Sequence, residues 1–195
     1  MASIVVVSHS GYGHTARLAD AVGEGIASAP GAALRIVAID ADGEIAADDW
    51  TALDAADAIV FGTPTYMGTV SWQFKKFADA SSKRWFTQAW KDKLAAGFTN
   101  SASLNGDKHA TLATLATLAM QHGMLWIGTG MMPANKKESQ RGDVNYLGAF
   151  TGLMGQSPAD AGADEAPPSG DLATARLFGA RVAEAASRWL AGQGR

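Results

Sequence analysis

The opening of the chain constrains its fold most. Four consecutive β-branched residues, Ile4-Val5-Val6-Val7, run through a loop of hydroxyls and glycines, Ser8-His9-Ser10-Gly11-Tyr12-Gly13-His14-Thr15, into a helical spacing of Leu18, Ala19, Val22 and Ile26. Such an apolar run suits a strand buried on both faces of a parallel sheet. A strand feeding a helix through a short loop leaves the helix's unpaired N–H groups and positive dipole end at the strand's C-terminal edge. A phosphate can be held there without a lysine. Ser8, Ser10 and Thr15 add hydroxyl donors, and Gly11 and Gly13 let the backbone approach closely or take positive φ. The expectation is a phosphate cradle built from Ser10, Gly11, Tyr12, Gly13, His14 and Thr15. An ordinary strand-to-helix turn with a hydroxyl cap has the same pattern.

The alternation continues downstream. Strands are predicted near Ile4 to Val7, Leu34 to Ile39, Ala58 to Thr63, Leu94 to Thr99 and Met124 to Gly128. Helices are predicted near Thr15 to Ser28, Trp50 to Ala55, Ser71 to Ala80, His109 to Gln121 and Asp171 to Ala191. Five strands alternating with helices imply an α/β, doubly wound parallel sheet with helices on both faces. The repeated Thr-Leu-Ala triplet at Thr111–Ala119 keeps Leu112, Leu115 and Leu118 on one broad helical face and reads as core packing. Residues 129–170 carry no sustained period and are rich in Gly, Pro, Asn and Asp, so a long loop insertion in a single domain spanning 1–195 is expected. Within it, Gly162 to Gly170, with Pro167-Pro168, is expected to be the least ordered part.

Composition narrows the function. A formal net charge of -3, without long charged runs, argues against nucleic acid as partner. The absence of cysteine removes disulfides, thiolate metal sites, iron–sulfur clusters and a cysteine nucleophile, and points to a cytoplasmic setting. No export signal and no apolar run long enough to span a membrane is read. No metal-ligand spacing, P-loop lysine or nucleophile elbow is found, so no catalytic acid–base or nucleophilic residue is assigned.

In an open parallel sheet, ligands bind beyond the carboxyl ends of the strands. Three loops therefore belong together: the phosphate loop, Gly62-Thr63-Pro64-Thr65-Tyr66-Met67-Gly68, and Thr99-Asn100-Ser101-Ala102-Ser103-Leu104-Asn105-Gly106. They offer a phosphate site, an aromatic-bearing turn and a run able to present backbone N–H groups. That combination suits a ligand with a phosphate tail, a flat ring and a hydrogen-bonding ring edge, which describes FMN. His9 reads as a residue pointing into the sheet.

The segments Ser10-Gly11-Tyr12-Gly13-His14-Thr15 and Gly62-Thr63-Pro64-Thr65-Tyr66-Met67-Gly68, with Gln73, Phe74, Asp79 and His122-Gly123-Met124 further on, are similar to flavodoxin-like FMN proteins of the WrbA type, a family of NAD(P)H:quinone oxidoreductases. The resemblance covers most of the chain and implies a flavodoxin-like sheet of order 2-1-3-4-5. It also implies FMN, with NADH or NADPH as hydride donor, a quinone-like acceptor and a homo-oligomer, either dimer or tetramer. By resemblance, Ser10 to Thr15 hold the phosphate, and Pro64, Thr65, Tyr66, Met67 and Gly68 flank the ring. Asn100, Ser101, Ala102, Ser103 and Asn105 contact its pyrimidine edge. His122 lies over the site from a neighbouring subunit, Tyr12 meets the nicotinamide and Trp85 faces the substrate. Two segments depart from the family pattern: Tyr66 stands where an arginine is usual, and Asn100 to Asn105 replaces a glycine-rich loop.

Two other functions use similar sheets. One is a non-enzymatic flavodoxin-type electron carrier, although carriers of that kind tend to be strongly acidic. The other is a dinucleotide-binding domain, since Gly11-x-Gly13-x-x-Ala16 follows a strand and Asp40 ends the second one.

Overall fold

The computed structural model describes residues 1–192. The main elements are β1 (Ala2–His9), α1 (His14–Ala27), β2 (Ala32–Ile39), α2 (Ala47–Ala55), β3 (Ala58–Tyr66), β4 (Thr69–Val70), α3 (Trp72–Ala80), α4 (Ser82–Thr87), β5 (Leu94–Ser101), α5 (Lys108–Gln121), β6 (Leu125–Trp126), β7 (Leu153–Gln156) and α6 (Ser169–Gly192). The sheet runs β2-β1-β3-β5-β6, with parallel pairing along that path. This is the expected 2-1-3-4-5 order of a flavodoxin-like fold, with one difference. Its last position is shared: β6 pairs with the start of β5 through Leu94↔Leu125, and β7 pairs with the end through Phe98↔Leu153 to Ser101↔Gln156. The insertion therefore interrupts a strand, and β7 lies inside the 129–170 stretch that lacked periodicity.

Strand alternation divides the core into two layers. Ile4, Val6, Val60, Ala96 and Phe98 point to one face, where α1 and α6 cover them with Leu18, Val22, Phe178 and Val182. Val5, Val7, Ile59, Phe61 and Ala95 point to the other, beneath Leu53 of α2, Phe74 and Phe77 of α3, and Leu112 and Leu115 of α5. Helices α1 and α6 meet through glycines. A Cβ built on Gly25 would lie 1.9 Å from the Arg176 carbonyl oxygen, and one on Gly179 would lie 2.0 Å from that of Val22. Only glycine allows backbones this close.

The 127–152 segment is held by specific bonds. Trp126 Nε1 donates to the Thr151 carbonyl at 2.6 Å, and Thr129 Oγ1 donates to that of Ala149 at 2.7 Å. Buried Asn145 donates from Nδ2 to the Met131 carbonyl and accepts the Ala149 N–H at Oδ1. Arg141 forks onto Asp171 of α6, with both N···O distances 2.5 Å. No helix among the described residues is long and apolar enough to cross a membrane.

Candidate functional site

The C-terminal ends of β1, β3 and β5 open into one cavity of about 580 Å³, lined by Tyr12, Thr15, Pro64, Thr65, Tyr66, Asn100, Ser101 and Ala102, among others. Loops far apart in the chain thus meet, because parallel strands deliver all their C-terminal ends to one edge.

On the phosphate-loop side, Gly13 takes φ +90 as the N-terminal cap of α1. No side chain caps this helix, and no acidic residue stands in its first turn. Ser10 Oγ accepts the Gly13 N–H at 3.1 Å, which closes the loop on itself and leaves the first-turn N–H groups of α1 for an anion. His14 lines the cavity, but its Nε2 lies 3.0 Å from the Ala161 carbonyl oxygen, so its ring holds a neighbouring segment.

On the second side, β3 turns into β4 through Met67-Gly68, with Thr65↔Val70 and Tyr66↔Thr69 paired. Both turn residues have positive φ, 47 and 83, the signature of a type I′ hairpin. Met67 adopts this conformation without being glycine, and its side chain stands fully in solvent. The hairpin brings Tyr66 over the phosphate loop: a Cβ on Gly11 would lie 2.5 Å from the Tyr66 hydroxyl. Burial pushes the Tyr66 phenol above its ordinary pKa and the neighbouring Tyr12 adds to this, while the Gly11 N–H bonded to it works the other way. The Tyr12 and Tyr66 rings meet edge to face at 6.2 Å, and Tyr12 is 78% exposed at the mouth.

Hydroxyl networks hold this side from below. Thr65 Oγ1 lies 2.8 Å from both Thr99 Oγ1 and Thr111 Oγ1, tying β3 to β5 and α5. Ser71 Oγ accepts the Phe74 N–H at the start of α3 and lies 2.9 Å from His9 Nδ1. His9 is buried within the sheet, as its sequence position implied.

On the third side, Asn100, Ser101 and Ala102 line the cavity, whereas exposed Ser103 and Asn105 stand at the loop's outer edge. Beneath this loop sits Lys108, fully buried at the start of α5. A lysine at a helix start reads in sequence as a solvated residue, and nothing local marks it.

The fourth wall was also missed: Ser157, Pro158, Ala159, Ala161, Gly162 and Ala163, just after β7. Ser157 Oγ donates to Asn100 Oδ1 at 3.1 Å, and Arg17 Nη1 donates to the Ala163 carbonyl at 2.9 Å. Part of the stretch expected to be least ordered is therefore fixed on α1. Its Gly162 and Ala163 form cavity wall, and its Ser169 and Gly170 begin α6.

His122 and Trp85 lie outside this chain's own cavity. Helix α5 starts at the C-terminal end of β5 and finishes near its beginning, where the Asp92 N–H donates to the Gly123 carbonyl. At 1.5 Å per residue it carries His122 about 20 Å away. His122 is 2% exposed, packed on Trp90 at 4.4 Å with Nε2 2.9 Å from Ser81 Oγ. Within its own chain this imidazole packs in the core and forms no part of the cavity. Burial also pushes its pKa down. Trp85 lies on α4, near the same end, edge to face with Phe86 and outside the cavity lining. Asp40, the acid of the dinucleotide alternative, accepts the backbone N–H groups of Asp42 and Glu44 at Oδ1, capping its own turn.

Comparison with known proteins agrees with this fold. Residues 4–138 match the family NADPH-dependent FMN reductase. The chain is 54% identical to flavodoxin FldP of Pseudomonas aeruginosa, covering 94% of this chain and 96% of the relative. It is 32% identical to an NAD(P)H dehydrogenase (quinone) of Geobacter sulfurreducens over 95% of this chain and 98% of that one. Among solved structures, a flavodoxin, WrbA-like protein from Agrobacterium tumefaciens superposes with a TM-score of 0.78 at 52% identity, covering 96% of this chain and 99% of its own. The chain belongs to the NADPH-dependent FMN reductase family, as a flavodoxin-like protein of the WrbA type.

Proposed function

We propose that this chain binds FMN in the cavity at the strand C-termini and acts as an oxidoreductase, passing two electrons from NADH or NADPH to a quinone-like acceptor. The observation that carries the reading is the helix end without a side-chain cap: α1 presents its first-turn N–H groups, with no acidic residue beside them, next to a cavity of about 580 Å³. That volume lies within the usual range for cofactor sites. FMN, when bound, supplies the hydride-accepting and electron-donating chemistry.

The chain's part is binding and orientation. Ser10, Thr15 and the N–H groups of the first turn hold the phosphate, with Gly11 and Gly13 keeping side chains out of its way. Pro64, Thr65 and Tyr66 form the wall against the ring, and the hydroxyl pairs below Thr65 keep that wall stiff. Asn100, Ser101 and Ala102 face the ring edge, with Ser103 and Asn105 extending the same loop outward. Met67 and Gly68 set the hairpin that aims Tyr66. Tyr12 offers an exposed aromatic surface at the mouth for a nicotinamide. No side chain is asked to pass a proton to or from the reacting atoms.

The names of relatives pull in two directions. Several, near 31% identity, are NAD(P)H dehydrogenase (quinone) proteins, which supports the enzyme. The relative at 54% identity is named a flavodoxin, which favours a second reading, an electron carrier on the same site. A formal charge of -3 and the insertion beyond β6 fit an enzyme better than a strongly acidic carrier. A cytoplasmic setting accords with the absence of cysteine. Exposed Phe86, Met120, Met132 and Phe150 are compatible with a homo-oligomer, dimer or tetramer, of this single-domain chain.

The deciding experiment is anaerobic. FMN-loaded protein is titrated with NADH or NADPH while its flavin absorbance is followed, and a quinone is then added. Bleaching by a nicotinamide and return on adding quinone support the oxidoreductase, whereas bands untouched by either nucleotide favour the carrier.

A further inference from the structure

Lys108 is the one feature of this site that neither the fold nor the binding argument uses. Lysine is rarely buried in full unless its charge is compensated. Its Nζ donates to Ser101 Oγ at 2.9 Å, to the Ser103 carbonyl at 2.7 Å and to the Leu104 carbonyl at 2.9 Å. Ser101 Oγ in turn donates to the Ser103 carbonyl at 3.0 Å. Three donated bonds use every N–H of an ammonium, and a neutral amine would have too few. Two of these acceptors belong to the loop between β5 and α5, and the third, Ser101, ends β5 and lines the cavity. In a trans peptide the C=O and the following N–H point in opposite directions. The carbonyls of Ser103 and Leu104, turned in to Nζ, therefore turn the N–H groups of Leu104 and Asn105 away from it.

The charges facing this ammonium come from two other elements. Asp171 of α6 is nearby, but its carboxylate is already forked by Arg141 from the insertion and accepts the Gln156 N–H at 2.9 Å. Asp171 and Arg141 act on Lys108 in opposite senses. The pair largely neutralises itself and leaves a buried positive charge beneath one wall of the cavity.

We propose that Lys108 is a positioning residue that also acts electrostatically, its ammonium fixing the loop Ser101–Leu104 for contact with the flavin edge and favouring the reduced, more negative flavin over the oxidised one. The inference rests on the FMN reading above. Two electrons arriving with one proton leave bound flavin one charge more negative. A cation in a low-dielectric site acts strongly on such a change. Burial pushes the Lys108 pKa down to about 8, so the group is charged at neutral pH yet near enough to titration to respond. Negative charge arriving nearby pulls that value up, so above pH 8 reduction draws an additional proton onto Lys108.

The test is the midpoint potential of bound FMN, measured against a reference dye between pH 7 and 9.5, for the wild-type holoprotein and Lys108→Met. For the wild type, proton uptake per electron pair is expected to rise from one towards two above pH 8. For Lys108→Met it stays at one. At pH 7 the variant is expected to lose at least tenfold in the ratio of reduced to oxidised FMN affinity, about 30 mV for a two-electron couple. If Lys108→Met does not fold, the wild-type pH dependence decides alone. A flat proton count with an unshifted variant potential overturns the proposal, even if FMN binds the variant more weakly. Failure of the wild type to hold FMN at all overturns the FMN reading and this one with it, so the two failures are distinct.

Discussion

Replacing Gly13 by alanine tests the cradle and its fourth wall together. Gly13 has φ +90, and a non-glycine residue in the left-handed region costs about 1–2 kcal/mol. A Cβ there would also lie 2.7 Å from the Ala163 Cβ, inside ordinary carbon–carbon contact of about 3.5–4.0 Å. Ala163 must retreat, which strains the bonds from Arg17 to the Ala163 carbonyl and between His14 and the Ala161 carbonyl. Each is worth about 1 kcal/mol, and somewhat more where the donor is charged. The control is Gly31→Ala, at φ +77 with nothing within 4 Å of the added carbon. Both substitutions carry the same type of backbone cost and the same gain from a stiffer unfolded chain. Their difference therefore isolates the contact with the fourth wall. In urea unfolding, Gly13→Ala is expected to be less stable than Gly31→Ala by about 1–3 kcal/mol. FMN affinity should fall at least tenfold in the first and stay unchanged in the second. Equal stability and equal FMN affinity in the two variants would refute the reasoning.

Other parts of the fold give sharper or simpler tests. Thr65→Val leaves the buried hydroxyls of Thr99 and Thr111 each without a partner, and should cost about 1–3 kcal/mol in urea unfolding, with Thr65→Ser close to wild type. Gly179→Ala puts a carbon 2.0 Å from the Val22 carbonyl oxygen, where the obstacle is backbone. Its cost should reach or exceed the roughly 1–3 kcal/mol usual for overpacking, and a near-native melting temperature would contradict the helix-crossing geometry. Burial lowers the pKa of both His9 and His122 in the fold, so as pH drops below about 6.5 the unfolded chain takes up protons first. Stability is then full above that pH and declines below it. The urea midpoint should be lower at pH 5.5 than at 7.5, with His122→Gln reducing the drop, and an unchanged midpoint counts against buried neutral imidazoles.

What was legible in the sequence follows the range of the interactions involved. The β1–loop–α1 unit could be read because its signals are local: β-branched strand, glycines at the turn, apolar spacing in the helix. Strand β7 could not, since Leu153-Met154-Gly155-Gln156 is too short to show a period and owes its pairing to the end of β5. Helix α4, at six residues, is also too short to show a period. Lys108 looks like a surface residue until the loop folds back over its ammonium. The wall at Ser157–Ala163 resembles any Pro- and Gly-containing linker, and its order comes from His14 and Arg17, which lie far away in the chain. His122 is a further case. Resemblance assigns it to a neighbouring subunit's site, and the length of α5 sets it at the far end of the sheet from its own chain's cavity, a placement that no local signal in the sequence shows.

The central claim, a cradle for the phosphate of FMN at the start of α1, is tested most directly by equilibrium titration of the apoprotein with FMN and with riboflavin, for the wild type and Ser10→Asp. The expected result is one FMN per chain, riboflavin bound at least a hundredfold more weakly, and FMN affinity lost in Ser10→Asp through repulsion between carboxylate and phosphate. Equal affinity for FMN and riboflavin, or undiminished FMN binding by Ser10→Asp, would contradict it.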